Sequence, residues 1–251
     1  MAHSRVYQTE AIVIKRTKLG EADRILTLYT PDYGKLRAVA KGTRRTKSKL
    51  GGHVELLTHS LLLLAKGRNL DIVTQAQTID SFLILKDDLN YLSCGLYISE
   101  LVDSFTAERI ENQQLFELLR DTLHNLSQAK KNEIVLRYFE LHLLDYIGYR
   151  PQLQQCACCD SPLQPMTNYF SPSQGGVLCN DCGDGEPIAR PLSLNALKVL
   201  RLWQNCDIVT AALVNVNSDL SSELEQVMRE YIRHLLERQV KSTAWMDKLK
   251  R

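Results

Sequence analysis

The sequence predicts an α+β protein of more than one domain, in which a small closed β-barrel precedes a helical domain with an inserted metal-binding module. The hydrophobic pattern has a period of two over the first part of the chain and of about 3.6 from Leu89 onward. In addition, five of the seven cysteines fall between residues 156 and 182. We therefore expect a barrel over residues 1–80 and a helical domain over residues 81–251, with the module at residues 152–190.

The first domain is predicted to contain five strands. Alternating and β-branched runs place them at residues 7–18, 24–30, 35–41, 54–66 and 70–79. Residues 31–34, Pro-Asp-Tyr-Gly, have the composition of a tight turn, and residues 67–69, Gly-Arg-Asn, fit a hairpin between the last two strands. Five short strands in so few residues fit a closed barrel, and the oligonucleotide-binding (OB) fold is a five-stranded barrel of this size.

The second domain is predicted to be helical. Leucine-rich stripes at helical spacing indicate three helices before Gly148, where glycine and the nearby Pro151 favour a helix end. After the cysteine segment, Ser193 is placed to cap another helix. Ser222 and Glu225 have the spacing of a capping box, which predicts that the last helix begins there.

Composition and charge limit the classes of protein. The chain has 251 residues, 44% hydrophobic and 24% charged, as is typical of a folded globular protein. Its apolar runs are too short to span a bilayer and the N-terminus lacks a secretory signal, so we expect a cytoplasmic protein. Residues 1–80 carry fourteen Lys and Arg against seven Asp and Glu, and the remainder carries seventeen against twenty-two. This asymmetry suggests that the first domain binds a polyanion.

Two Cys-x-x-Cys pairs are the most specific chemical signal, Cys156 with Cys159 and Cys179 with Cys182. Their spacing fits a four-cysteine zinc site in which each pair supplies two thiolates from one tight turn. Four thiolates leave no open position for water, so we expect one structural Zn²⁺ and no metal catalysis. A redox pair and a metal-free cluster are the alternatives. Cys158 lies outside the two symmetric pairs.

A run of basic residues without an acidic one lies between Gly34 and His53. Clustered cations neutralise phosphates and bind nucleic acid with little sequence preference, and five-stranded barrels commonly hold single strands along such a groove. A solvated charged loop is the alternative interpretation. By the period-two rule, Lys35, Arg37 and Lys41 share one face of the third strand. The predicted DNA-binding residues are Lys35, Arg37, Lys41, Arg44, Arg45, Lys47 and Lys49.

Motifs of several enzyme classes are absent from the sequence. It contains no phosphate loop of nucleotide hydrolases, no zinc-protease motif and no nucleophile elbow. A nuclease generally needs clustered carboxylates for a divalent ion, and the adjacent pair Asp87 and Asp88 lies at the predicted domain junction. We therefore expect a protein without catalysis. A nuclease, a zinc-ribbon transcription regulator and a nucleic-acid-binding adaptor are the alternatives.

Several separated motifs occur in an order that is typical of one protein family. In the first domain they are GEADRILTLYT at residues 20–30, Gly34 with Lys35, and AVAKGTRR at residues 38–45. Further along they are YFSP at residues 169–172 and GGVLC at residues 175–179, closing at Cys182. Together they resemble the RecO family of bacterial DNA-repair proteins, over nearly the whole chain. Asp160 departs from the family pattern, in which glycine often follows the first cysteine pair.

The resemblance implies a non-catalytic recombination mediator, located in the cytoplasm at the nucleoid, that binds single- and double-stranded DNA and anneals complementary strands. It also implies association with RecR, recognition of the C-terminal tail of single-strand-binding protein, and help to RecA in replacing that protein on DNA. The family's DNA contacts fall here on Arg37, Lys41, Arg44 and Arg45, with Lys35 next. For the tail, the candidate rim residues are Lys130, Lys131 and Arg137.

Overall fold

A computed structural model of the chain describes residues 5–128, 131–237, 240–243 and 246–247. Backbone contacts divide the chain into two compact units, one of Met1–Gln128 with Lys241–Arg251 and one of Ala129–Val240. The first unit therefore includes helices that follow the barrel in sequence, and the division at residue 80 remains a prediction about domains. None of the described helices combines the length and apolar composition that crossing a bilayer requires.

The first five strands close into a barrel. They are β1 (Val6–Leu19), β2 (Asp23–Thr30), β3 (Gly34–Ala40), β4 (His59–Ala65) and β5 (Asp71–Asp80). Their order around the barrel is β1-β2-β3-β5-β4, and β4 closes the barrel by pairing with β1. The contact between β3 and β5 is parallel and short, with Ala38 opposite Asp71 and Val39 opposite Ile72. The predicted five-stranded, OB-like barrel is confirmed.

Alternating side chains fill the barrel core. In β3, Leu36, Ala38 and Ala40 are buried, while Arg37 between them is exposed. The core consists of Ala11, Val13, Leu26, Leu28, Leu36, Ala38, Ala40, Val54, Leu62, Leu64 and Val73.

The fourth strand begins later than predicted. Residues Gly51–Val54 form a short 3-10 helix, and Leu57 has a φ of 58°, so the extended strand starts only at His59. The intervening segment still pairs with the first strand, because the Leu57 N–H donates to the Val13 carbonyl at 2.8 Å. The apolar run at residues 54–66 therefore includes a turn as well as a strand.

Three helices follow the barrel in the first unit, α1 (Leu83–Asp87), α2 (Leu89–Phe105) and α3 (Gln113–Leu126). The Asp88 carboxylate caps α2 by accepting the N–H groups of Asn90 and Tyr91, and the Asn112 side chain caps α3. Helix α2 packs on β1 and α3 on β2. Between α2 and α3, residues 106–111 lie beside β3; we refer to them as the strap.

The second unit combines helices with a small sheet. Its elements are α4 (Asn132–Tyr146), β6 (Asn168–Ser171), β7 (Gly176–Leu178), α5 (Asn180–Gly183), β8 (Arg190–Leu192), α6 (Leu194–Trp203), α7 (Ile208–Ala212) and α8 (Ser218–Leu236). The sheet has the order β7-β6-β8. Helix α4 ends just before Gly148, which has a φ of 85°, as predicted.

One predicted helix start is confirmed and another is wrong. The Ser193 Oγ accepts the Ala196 N–H at 3.1 Å and caps α6, as expected. Helix α8 begins at Ser218, one turn before the predicted capping box, because Asn217 accepts the Leu220 N–H at 2.9 Å. Ser222 therefore lies inside the helix, where its hydroxyl donates to the Ser218 carbonyl at 2.9 Å.

Candidate nucleic-acid interface and metal centre

Most of the predicted DNA-binding residues lie on one loop after β3, residues 41–50, which we call the basic loop. Successive turns shape it, since the Arg45 N–H donates to the Gly42 carbonyl at 3.1 Å and the Ser48 N–H to the Arg45 carbonyl at 3.0 Å. The Gly42 N–H donates to the Asp23 carboxylate at 2.7 Å, and Gly42 has a φ of 67° that favours glycine. The loop thus has a defined backbone fixed to the start of β2.

The cationic side chains of the basic loop are exposed. Within the described part of the chain, no carboxylate forms an ion pair with any of them, although Arg44 donates to the Gly20 carbonyl at 3.2 Å. Positive charge without a counter-charge attracts phosphates. The exposed cations of the basic loop are Lys41, Arg44, Arg45, Lys47 and Lys49.

The two remaining predicted residues lie on β3 and already have acidic partners. Arg37 Nε lies 2.7 Å from Glu108 Oε1, and both side chains are about half exposed. Lys35 is only 11% exposed, and its Nζ donates to the Asp103 carbonyl at 2.6 Å. Lys35 therefore lies largely buried on its side of the strand, because α2 and the strap cover that end of β3.

Asp103, near the end of α2, binds two barrel lysines. Its carboxylate lies 2.8 Å from Lys15 Nζ and 3.3 Å from Lys35 Nζ. Burial raises the pKa of Asp103, but the hydrogen bond from Lys15 and the charge of Lys35 lower the pKa further than burial raises it. No local sequence pattern indicates these pairs, since the partners are separated by 68 and 88 positions.

The four predicted cysteine ligands come together in the second unit. The sulfur atoms of Cys156, Cys159, Cys179 and Cys182 all lie within 4.8 Å of one another. Cys156 and Cys159 lie on one tight turn, and Cys179 caps α5, which contains Cys182. Two turns that each present two thiols to one point can bind one metal ion.

Hydrogen bonds shift the pKa values of three of these thiols in different directions. Burial raises the pKa of Cys156, but N–H groups, beginning with that of Cys179 at 3.3 Å, lower the pKa further than burial raises it. The hydroxyl and N–H of Ser161 lower the pKa of Cys159 to about 6. The pKa of Cys182 is raised because its thiol donates to Cys159 and Cys179. Four sulfurs without oxygen or nitrogen ligands form a donor set that suits Zn²⁺.

Two of the three residues suggested for the rim of a peptide groove make contacts within the protein. The Arg137 side chain is buried and pairs with the buried Glu140 on the same helix, so its assignment to a rim is wrong. Lys131 Nζ donates to the Val216 carbonyl at 3.0 Å, and Lys130 lies outside the described residues.

Comparison with known proteins gives a consistent result along the chain. The family model described as the N-terminal part of recombination protein O matches residues 1–82, and that of its C-terminal part matches residues 86–244. A protein named DNA repair protein RecO from Roseiflexus sp. is 45% identical over 97% of this chain and 86% of its own length. Proteins of the same name from Dehalococcoides mccartyi and Symbiobacterium thermophilum are 44% and 34% identical over 98% of this chain, covering 96% and 98% of their own lengths.

Proposed function

The chain belongs to the RecO family of DNA repair proteins, and we propose that it binds single- and double-stranded DNA through the basic loop and anneals complementary strands. We further propose that it acts without covalent catalysis, and that with RecR it assists RecA in replacing single-strand-binding protein on DNA. One observation supports the DNA site above all others. Five exposed cations without an acidic partner among the described residues occupy one loop of an OB-like barrel.

The proposed mechanism is electrostatic. Two DNA strands repel each other through their phosphates, and this repulsion slows annealing. Arg44, Arg45 and their neighbours on the loop neutralise phosphates, and contacts to the backbone leave the base edges free to pair. No bond is made or broken, so the loop needs neither a general base nor a catalytic metal. Binding by this mechanism is indifferent to base sequence and weakens with salt.

The cysteine cluster is proposed to hold one structural Zn²⁺ through Cys156, Cys159, Cys179 and Cys182. The ion would supply no reaction chemistry, because four thiolates close its coordination sphere. Its role is to cross-link the turn at residues 156–159 to the start of α5 in a small module that buries few apolar side chains.

Removing cations from the basic loop tests the DNA site. The double variant Arg44→Gln/Arg45→Gln should bind single-stranded DNA more weakly, with a salt slope shallower by about 1.4, since each lost phosphate contact accounts for about 0.7. The control Lys198→Gln/Arg233→Gln removes two exposed cations from the second unit. Fluorescence anisotropy of labelled single-stranded DNA at several salt concentrations measures the affinity of the wild type and of both double variants. Equal slopes in the wild type and the Arg44/Arg45 variant would exclude this loop as the site.

Two cheap assays separate the alternatives. Annealing of complementary oligonucleotides should slow in the Arg44→Gln/Arg45→Gln variant. Labelled strands incubated with the wild type and Mg²⁺ should stay intact, because the only candidate metal site among the described residues consists of cysteines and not of the carboxylates that a nuclease needs. A transcription regulator would prefer one duplex sequence, whereas the proposed protein should bind mixed sequences equally well. Strand cleavage or a strong sequence preference would replace the mediator proposal with the corresponding alternative.

The tail of single-strand-binding protein is proposed to bind the second unit. A cavity of about 740 Å³ beside α8 has an apolar wall that includes Ile188, and the exposed Arg233 also lines it. Glu230, which pairs with Arg190, and Glu237 lie in the same lining. The apolar wall suits the apolar part of such a peptide, and Arg233 is the cation proposed to meet its acidic part. Arg233→Glu should weaken binding of a labelled tail peptide, whereas Lys198→Glu, the same charge reversal outside the cavity, should not. Equal binding of the peptide by both variants would show that the tail does not bind in this cavity.

A further inference from the structure

The strap is held against the edge of the barrel by backbone contacts. The Arg109 N–H donates to the Lys35 carbonyl at 2.7 Å, and Lys35 and Glu108 form a parallel bridge. Gly34 allows this close approach, because a Cβ at that position would lie 1.8 Å from the Ile110 carbonyl oxygen. The strap thus occupies the part of β3 that β5, paired only near Ala38 and Val39, leaves without a neighbour.

A buried carboxylate fixes the strap from the other side. Arg109 Nη2 lies 2.8 Å from Asp71 Oδ2, and Asp71 is 3% exposed. The Asp71 carboxylate also accepts hydrogen bonds from the Tyr7 hydroxyl and, at 3.2 Å, from the Gly67 N–H. The backbone of the strap is bound to β3 and its Arg109 side chain is bound to Asp71. These contacts position the Glu108 carboxylate next to Arg37.

We infer that Glu108 is an internal competitor of DNA, which occupies Arg37 until a phosphate displaces it. This inference rests on the proposed function and concerns the regulation of the same surface. A carboxylate and a phosphate use the same guanidinium N–H groups, so Arg37 cannot bind both fully. The pair is half exposed, and exposed ion pairs are weak enough for a phosphate to displace. Arg37 is then a masked cation beside the unpaired cations of the basic loop.

Neutralising the competitor tests this inference. Glu108→Gln should bind single-stranded DNA about two- to fivefold more tightly than the wild type, the range expected for one exposed ion pair. Its salt slope should be steeper by at most about 0.7, the value for one further phosphate contact, because a phosphate displaces Glu108 in only part of the wild-type complexes. Glu111→Gln is the matched control, because it removes the same charge from the same exposed strap, and no cation among the described residues forms an ion pair with Glu111. Thermal unfolding of each variant checks that the fold is retained.

A second substitution shows whether the gain acts through Arg37. Arg37→Gln should change DNA binding little in the wild type but should cancel the whole gain in the Glu108→Gln background. If Glu108→Gln binds no more tightly than Glu111→Gln, or gains affinity independently of Arg37, the inference is wrong. In that case the proposed function still stands if Arg44→Gln/Arg45→Gln weakens binding. A wild type that binds no DNA at all would overturn both.

Discussion

Replacing Gly34 with alanine should lower the free energy of unfolding of the first unit, because the added methyl group would push the strap away from β3. Gly34 has a φ of 57°, in the left-handed region that side chains with a Cβ rarely adopt. The atom facing the new methyl group is the Ile110 carbonyl oxygen, which belongs to the backbone. A side-chain rotation therefore cannot relieve the clash, and the strap has to move away from β3.

The cost has two parts. The left-handed conformation of an alanine costs about 1–2 kcal/mol. Moving the strap breaks the hydrogen bond from the Arg109 N–H to the Lys35 carbonyl, which contributes about 1 kcal/mol. It also weakens the pair of Arg109 with Asp71, which we discount to about 1 kcal/mol because the arginine is half exposed. We expect Gly34→Ala to lower the free energy of unfolding by about 3–4 kcal/mol in total.

Gly20→Ala is the matched control. Gly20 has nearly the same φ, 56°, but no atom lies within 4 Å of a Cβ built there, so only the conformational cost of about 1–2 kcal/mol applies. Urea unfolding followed by circular dichroism gives both values. If the two variants are destabilised equally, within about 0.5 kcal/mol, the strap is not fixed against β3 as argued. Gly34→Ala should also bind DNA more tightly, since the moved strap uncovers Arg37.

Three further predictions concern the metal, pH and a helix cap. Cys182→Ser should lose the proposed zinc in metal analysis, whereas Cys158→Ser, outside the cluster, should keep one ion per chain; the opposite result would reassign the ligands. Burial lowers the pKa of His59 below its ordinary 6.5, so the stability that this residue contributes is complete above about pH 6.5 and is lost as the pH falls through the folded value. Urea unfolding between about pH 7.5 and pH 5 should show this loss, which a His59→Gln variant should reduce. Asn217→Ala should cost about 1 kcal/mol in unfolding free energy and Ser222→Ala less than about 0.5, and the reverse order would restore the predicted helix start.

The barrel could be predicted because each strand carries a local alternation of apolar and polar residues. The alternation in β3 separates Leu36 and Ala38 from Arg37 without knowledge of any other part of the chain. The start of β4 was missed because Leu57 takes a left-handed conformation within an apolar run, and composition does not indicate that conformation. The helix start at Ser218 was missed because Asn217 and Ser222 are both residue types that can cap a helix, and the local sequence does not show which of them does.

One candidate site could be predicted from the sequence, and the ion pairs of the other could not. The cysteine cluster could be predicted because each pair is local in sequence and the chemistry of thiols restricts what two pairs can bind. The ion pairing of Lys35 and Arg37 could not be predicted. Their partners Asp103 and Glu108 belong to distant segments that only the folded chain brings to β3. Alternation reports which side of a strand a residue occupies, but it does not report what covers that side.

The strap has a consequence for anyone who wishes to study the barrel alone. A fragment cut after β5 would lose residues 106–111 and leave the backbone of β3 at Lys35 as an unpaired strand edge, which promotes aggregation. It would also remove Asp103 and leave the Lys35 amine without its carboxylate. A fragment should therefore extend at least through α3 to about residue 128, well past the boundary near residue 82 that the family match indicates. Even that fragment would lack residues 241–251, which belong to the same unit and in which the Lys241 and Ser242 N–H groups donate to the Glu100 carboxylate at 2.7 Å.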